Sequence, residues 1–382
     1  MSARFSRTAL AHALLAGLAP AALSLPVAAE DYTRFEAGEL EGRVTGRIQY
    51  DALIDSDAPD PQQDSGELRR LRLGVFGRYT DDWRYGVSVD FADDTRLRDL
   101  AIEYRGWPVR IEAGRLQEPF GLAEYGSSKD TLFMERPSPS ALGPDYGLGA
   151  TVNYRGSEAW AVSAGAFAAS DHEQFGGDRN ESSLTGRLTA TPLRGDWLLH
   201  LGVGASQRRS EEPRGLRASG SAETVLVSGY TPASLRELGV DRYRLLGAEF
   251  ALRRGPVLLQ SEWIDLASDG VTEGSGVYAE LGWAITGEKR DYSVRYGNFD
   301  GIEPRRPLTR GGWGAFEVGL RLSRTDFSDG GGSEGQVAGL AFNWYPVEQI
   351  RFSVNAQRVT LEVPGQPEIE TDVIQGRVQA YF

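Results

Sequence analysis

From Leu40 to Tyr50 apolar and polar residues alternate without a break. Leu40, Gly42, Val44, Gly46, Ile48 and Tyr50 fall on one side, and Glu41, Arg43, Thr45, Arg47 and Gln49 on the other. A period of two is the signature of a β-strand with one apolar and one polar face. The pattern returns at Leu71, Leu73, Val75, Gly77 and Tyr79 against Arg70, Arg72, Phe76 and Arg78, and again at Trp83, Tyr85, Val87, Val89 and Phe91 against Arg84, Ser88 and Asp90. It closes the chain: Ile374, Gly376, Val378, Ala380 and Phe382 alternate with Gln375, Arg377 and Gln379. Such strands can stand between lipid and water. A last strand that is apolar on one face and ends in Phe fits an outer-membrane β-barrel in which the last strand pairs with the first. Tyr50, Tyr79, Trp83, Phe91 and Tyr104 lie near strand ends, where interfacial aromatic girdles belong.

Further strands are predicted near 97–105, 109–116, 147–155, 159–168, 182–191, 196–206, 242–252, 256–264, 275–284, 313–324, 335–345, 350–360 and 372–382, for sixteen in all. Bacterial barrels join strands alternately by short periplasmic turns and longer external loops. The short connectors, Thr80–Asp82, Gly106–Pro108, Gly156–Glu158, Pro192–Gly195, Arg253–Gly255 and Pro346–Gln349, all follow even-numbered strands. One connector breaks the rule. Ile285–Gly312 should be a short turn and is long, so either it is an unusual turn or Tyr292–Phe299 contributes an extra hairpin to an eighteen-stranded barrel. Sixteen is the expected count.

The N-terminal region reads as a secretory signal. Arg4 and Arg7 precede an Ala- and Leu-rich stretch, and Val27-Ala28-Ala29 offers a small-residue cleavage site, so residues 1–29 are expected to be removed and 30–382 to form one barrel domain. The rest of the chain has no run of about 18 apolar residues, which excludes a helical membrane protein. No cysteine is present, so disulfide, thiol and cysteine-metal chemistry are excluded. The formal charge of -13, or -15 once Arg4 and Arg7 leave, argues against nucleic-acid binding. Only His172 and His200 remain as histidine bases after signal removal, and no Gly-x-Ser-x-Gly turn accompanies them, so an enzyme is not expected. No cofactor or metal site is implied either: the acidic groups Asp55, Asp57, Asp60, Asp64 and Asp93-Asp94 lack the glycine and terminal glutamate of an EF-hand.

After the fifth strand come about thirty residues without a clear period, interrupted by Pro119, Pro137, Pro139 and Pro144; a connector this long is expected to be functional, and in a wide barrel it can fold inward. It contains Gly114-Arg-Leu-Gln-Glu-Pro-Phe-Gly-Leu-Ala-Glu124, Ser127-Ser128-Lys129-Asp130 and Phe133-Met134-Glu135-Arg136. With Leu68-Arg69-Arg70-Leu71-Arg72-Leu73, Thr286-Gly287-Glu288, Gly312-Trp313-Gly314-Ala315-Phe316-Glu317 and Asn343-Trp344-Tyr345, in the right order over most of the chain, it resembles the phosphate-selective porin O and P family. The resemblance implies a sixteen-stranded, usually trimeric porin of the bacterial outer membrane, embedded in its lipid. It would pass small anions such as phosphate or polyphosphate by passive diffusion, with the third external loop folded into the pore. It also implies an anion site at the constriction formed by Arg69, Arg70, Arg43 or Arg47, Asp99 and Lys129. The chain departs from a strongly phosphate-adapted member in placing Glu118, Glu124, Asp130 and Glu135 beside Lys129.

The residues can be read without the family. An arginine in a lumen stays charged and presents a planar fork that donates two hydrogen bonds to phosphate or carboxylate. By strand parity Arg43, Arg47, Arg70, Arg72, Arg78, Arg84, Arg110, Arg155, Arg187, Arg321, Arg351 and Arg377 point inward, but so do Glu41, Asp90, Asp99, Glu103, Glu112, Glu249, Glu280 and Glu317. These charges either select anions at a narrow point or pair across the lumen and stiffen it. At the level of function, the alternative to a channel is a structural or adhesive barrel that binds partners through its loops; Gln207–Asp241 is long enough for a short helix or hairpin.

Overall fold

The computed structural model describes residues 33–58, 66–92, 94–170, 181–210, 216–226, 234–237, 240, 242–268 and 273–382. The expected leader, 1–29, and His172 lie outside the described residues. Sixteen antiparallel strands form the wall: β1 (Leu40–Ser56), β2 (Gly66–Tyr79), β3 (Trp83–Asp90), β4 (Arg96–Tyr104), β5 (Arg110–Gln117), β6 (Tyr146–Ser157), β7 (Trp160–Ser170), β8 (Glu181–Leu193), β9 (Trp197–Ser210), β10 (Arg242–Arg254), β11 (Val257–Ser268), β12 (Glu273–Ala284), β13 (Ala315–Asp326), β14 (Glu334–Val347), β15 (Ile350–Glu362) and β16 (Ile369–Tyr381). Each pairs with its sequence neighbours, and β1 pairs with β16 from Arg47↔Tyr381 to Ser56↔Val373, so the sheet closes and leaves no free edge over that length. The closure ends on Phe382, whose backbone exchanges two hydrogen bonds with Gly46 (3.1 and 3.0 Å). Its ring lies over Gly46, where a Cβ would come within 2.3 Å.

The alternation read from the sequence is the inside-outside pattern of the wall. Along β10 exposed Leu246 and Phe250 alternate with buried Leu245, Glu249 and Ala251. Exposed aromatics collect at the short-turn end: Tyr79, Trp83, Tyr154, Trp160, Trp197 and Trp283. Some pair there, as Trp83 does with Tyr104 at 4.9 Å between ring centroids, which is how an interfacial girdle presents amphipathic rings to headgroups.

The structure departs from the sequence reading in two ways. Several strands run past their expected external ends, β1 to Ser56 and β9 to Ser210, because hydrogen-bonded pairing continues beyond the apolar band. A short segment, Arg34–Ala37, pairs with Leu40–Arg43 on the side of β1 that β16 leaves open below Arg47. In keeping with the expected sixteen, the connector between β12 and β13 adds no wall strands. Its hairpin, Tyr292–Ser293 with Asn298–Phe299, forms a separate two-stranded ladder inside the barrel, where Tyr292 Oη lies 2.7 Å from His200 Nδ1 and Tyr296 O accepts from inward-facing Arg187.

Two other connectors reach inward-facing side chains. From the segment between β5 and β6, the backbone carbonyls of Thr131, Leu132, Met134 and Glu135 accept hydrogen bonds from Arg351, Asn343, Arg377 and Arg321. From the connector after β9, buried Glu223 accepts from Arg321 (2.8 Å) and from the amide of Ser138 (2.8 Å), while Leu216–Ser219 and Ser234–Glu237 form a short hairpin.

Candidate anion-binding constriction

The interior is lopsided. Inward side chains of β8 to β16, including Arg187, His200, Glu249, Glu262, Glu280, Arg321, Glu317, Asn343, Arg351 and Arg377, are buried beneath the inserted connectors. There charge meets charge. Arg187 pairs with Glu249, Arg321 with Glu223 and Glu280, and Arg290 with Glu317 (2.8 Å), while Glu118 of the connector takes Arg208 (3.0 Å), Ser183 and Thr185. Burying so many ions costs solvation, which these pairings offset. This sector is the stiffening arrangement. Against β1 to β6, in contrast, Arg47, Arg70, Arg72, Asp90, Asp99, Arg110 and Glu112 are only half-buried and Arg43 and Arg84 are exposed, so the water-accessible passage runs along this wall.

A dense charged cluster is assembled from β1, β2, β16 and the β5–β6 connector. Strict alternation would send Arg69 and Arg70 to opposite faces. A β-bulge, where the register steps from Gln49↔Arg70 to Tyr50↔Leu68, leaves Arg69 unpaired and lets both guanidinium groups turn inward. Arg69 Nε and Nη2 each donate to Glu135 at 2.9 Å, a bidentate pair. Glu135 also accepts from Arg377 (2.6 Å), whose fork holds Asp51 at 2.6 Å through both arms. Burial alone would raise the Glu135 carboxyl, but Arg69 and Arg377 hold it well below the usual carboxylate range.

Within this cluster two arginines escape this neutralisation. Arg70 donates to Gln49 Oε1 at 3.1 Å, and Arg47 to the hydroxyls of Ser128 (2.9 Å) and Ser127 (3.2 Å); among the described residues neither has a carboxylate partner. The serines of the Ser127-Ser128-Lys129 motif therefore orient Arg47 without cancelling it. Lys129 itself pairs with Asp130 (2.7 Å) and lies 4.8 Å from the centre of the Tyr381 ring. Arg136 joins the same face, 3.3 Å from Glu124 and anchored on the carbonyls of Ala123, Glu124 and Gly126. Among the described residues that these bonds join are six cations, Arg47, Arg69, Arg70, Lys129, Arg136 and Arg377, and four carboxylates, Asp51, Glu124, Asp130 and Glu135.

Of the residues singled out in the sequence, the structure gathers Arg47, Arg69, Arg70 and Lys129. It leaves two apart. Arg43 is exposed on β1 four residues toward the short-turn end, roughly 13 Å of extended strand from Arg47. Asp99 accepts a hydrogen bond from Ser88 on β3 and meets none of the four cations. Glu135, Asp51 and Arg377 went unrecognised as site residues. Arg377 carried the parity signal, but its partner Glu135 lies in a connector without a period. Arg295 was also missed: it comes from the β12–β13 connector and pairs with Glu103, which also takes Arg105 (3.0 Å), so a further charged group lines the passage toward the short-turn end.

Comparison with known proteins agrees with this architecture. The model of the family described as phosphate-selective porin O and P matches residues 43–382. A Caulobacter vibrioides protein is 28% identical over 366 residues, covering 88% of this chain and 72% of its own length. Porin O of Pseudomonas aeruginosa is 25% identical over 337 residues, 76% of this chain and 75% of that one. Among solved structures, the anion-selective porin of Comamonas acidovorans (11% identity, TM-score 0.56, 90% of this chain and 100% of that one) and OprB of Pseudomonas putida (9% identity, TM-score 0.59, 90% and 94%) share the fold.

Proposed function

The chain belongs to the phosphate-selective porin O and P family and is a porin of the bacterial outer membrane; from that premise we propose that it conducts small anions along the β1 to β6 wall, past a constriction where Arg47 and Arg70 supply the selecting charge. The observation that carries this reading is that these two arginines are held by neutral groups alone, two serine hydroxyls and a glutamine carbonyl, in a cluster whose other cations are all paired. An anion entering the narrow section exchanges part of its hydration shell for their N–H donors. The excess of acidic residues over the whole chain does not oppose this, because charges more than about 8 Å away through salt water are screened. The pairing of Arg69 with Glu135 and of Lys129 with Asp130 makes the site weaker than one built from free cations, so the reading is a general preference for small anions, with phosphate among them.

Current through the protein in planar bilayers tests it. Under a potassium chloride gradient the zero-current potential should carry the sign of chloride permeation; a potential of cation sign, or no steady current, overturns the reading. We further read residues 1–29 as a cleaved leader and the assembly as a trimer, the latter helped by the small exposed outer faces of Ala164, Ala166 and Ala168. N-terminal sequencing should begin at Glu30, and native mass in detergent should give three chains; an uncut N-terminus or a monomer mass would remove these two readings.

A further inference from the structure

Among the described residues, the outer faces of β9 and β10 carry a sector of positive charge that no conduction role uses. On β9 the exposed face runs Leu201, Val203, Ala205, Gln207, Arg209, and on β10 it runs Phe250, Ala248, Leu246, Arg244, Arg242. The register sets Arg209 directly opposite Arg242 and Gln207 opposite Arg244. Three arginines are thus neighbours on the outside of the wall, two of them directly cross-strand. Two other outward arginines near the external rim are neutralised, Arg324 by Asp326 (2.9 Å) and Glu334 (2.7 Å), and Arg358 by Asp372 (2.8 Å). Among the described residues no carboxylate pairs with Arg209 or Arg244, and Asp265, on the exposed face of β11 opposite Leu246, reaches neither.

Their height on the wall identifies what they meet. Trp197 and Arg254 face each other at the short-turn end, with the Arg254 guanidinium 4.8 Å from the Trp197 ring centre, and mark the girdle there. Arg209 lies twelve residues beyond Trp197. At ~3.3 Å per residue and a tilt of about 40°, that is about 30 Å along the barrel axis, just past an apolar band about 25 Å tall. We propose that Arg209 and Arg244 form a binding site for the phosphate groups of an outer-leaflet lipid, whose acyl chains then run down the apolar face of Val203, Leu246 and Phe250. Guanidinium forks suit phosphate oxygens, and a lipid is the phosphate carrier presented at this depth.

The test compares the wild-type protein, an Arg209→Ser/Arg244→Ser variant and an Arg324→Ser/Arg358→Ser control, each purified in detergent and titrated with diphosphorylated lipid A. Wild type and control should bind it alike. The β9–β10 variant should bind about thirty-fold more weakly, which at ~1.4 kcal/mol per decade is ~1 kcal/mol for each arginine. Dephosphorylated lipid A should bind wild type no better than the variant, and millimolar inorganic phosphate should not displace the lipid. Unchanged ion current in the variant confirms that the barrel is folded. Equal lipid A affinity in variant and wild type, equal losses in variant and control, or full displacement by free phosphate would each overturn the proposal.

Discussion

Replacing Glu135 with Gln should make the pore more selective for anions. The amide keeps the size of the side chain and an acceptor for Arg69, and Arg377 retains both bonds to Asp51, so the cluster should stay in place. What changes is charge. In the wild type the Arg69 fork is closed by two 2.9 Å bonds to a carboxylate. With the carboxylate gone, an anion at that fork would lie roughly 5–6 Å from the lost charge. At an effective dielectric constant between ~20 and ~80, one unit charge at that distance changes its energy by about 0.7–3 kcal/mol. A water-filled pore in salt belongs at the low end, so the anion-to-cation permeability ratio should rise by about three- to tenfold. Zero-current potentials under a potassium chloride gradient read this ratio directly, and heat-modifiable migration on gels checks folding. A folded Glu135→Gln barrel with an unchanged ratio, or one shifted toward cations, would show that ions do not pass near Arg69.

Two other outcomes follow from the same geometry. Burial pushes the Glu124 carboxyl up to about 7 against the pull of Arg136, with Asp145 adding to the rise; it is therefore mostly ionised at pH 8 and mostly neutral at pH 6, so anion preference should increase as the pH falls through 7 and lose that dependence in Glu124→Gln, which bilayer recordings at stepped pH would check. Phe382→Asp should lower the amount of assembled barrel in outer membranes, because it removes the ring that covers Gly46 at the β1–β16 closure, a loss of about 1–2 kcal/mol of apolar contact, measured as the heat-modifiable fraction.

The wall was legible because its physics is periodic. Every residue from Leu40 to Tyr50 must face either lipid or lumen, and the chain records that choice residue by residue. The interior carries no such record. Arg69 turns inward only because of a bulge that parity cannot reveal, and Glu135 meets it from a connector whose path is set by carbonyl contacts with Arg321, Arg351 and Arg377, far away in sequence. The β12–β13 connector was visible as an anomaly of length but not as a lumenal hairpin, since Tyr292 and Tyr296 find their partners, His200 and Arg187, about 90 to 110 residues away. The motif Ser127-Ser128-Lys129 stood out, yet its part is divided: the serines hold Arg47, and the lysine is spent on Asp130.

The claim that Arg47 and Arg70 supply the selecting charge is tested most directly by the zero-current potential of Arg47→Ser/Arg70→Ser beside that of the wild-type pore in the same salt gradient. The wild-type potential should have anion sign and should collapse to zero or cross to cation sign in the double variant, with steady current in both. Identical potentials in the two pores would contradict it.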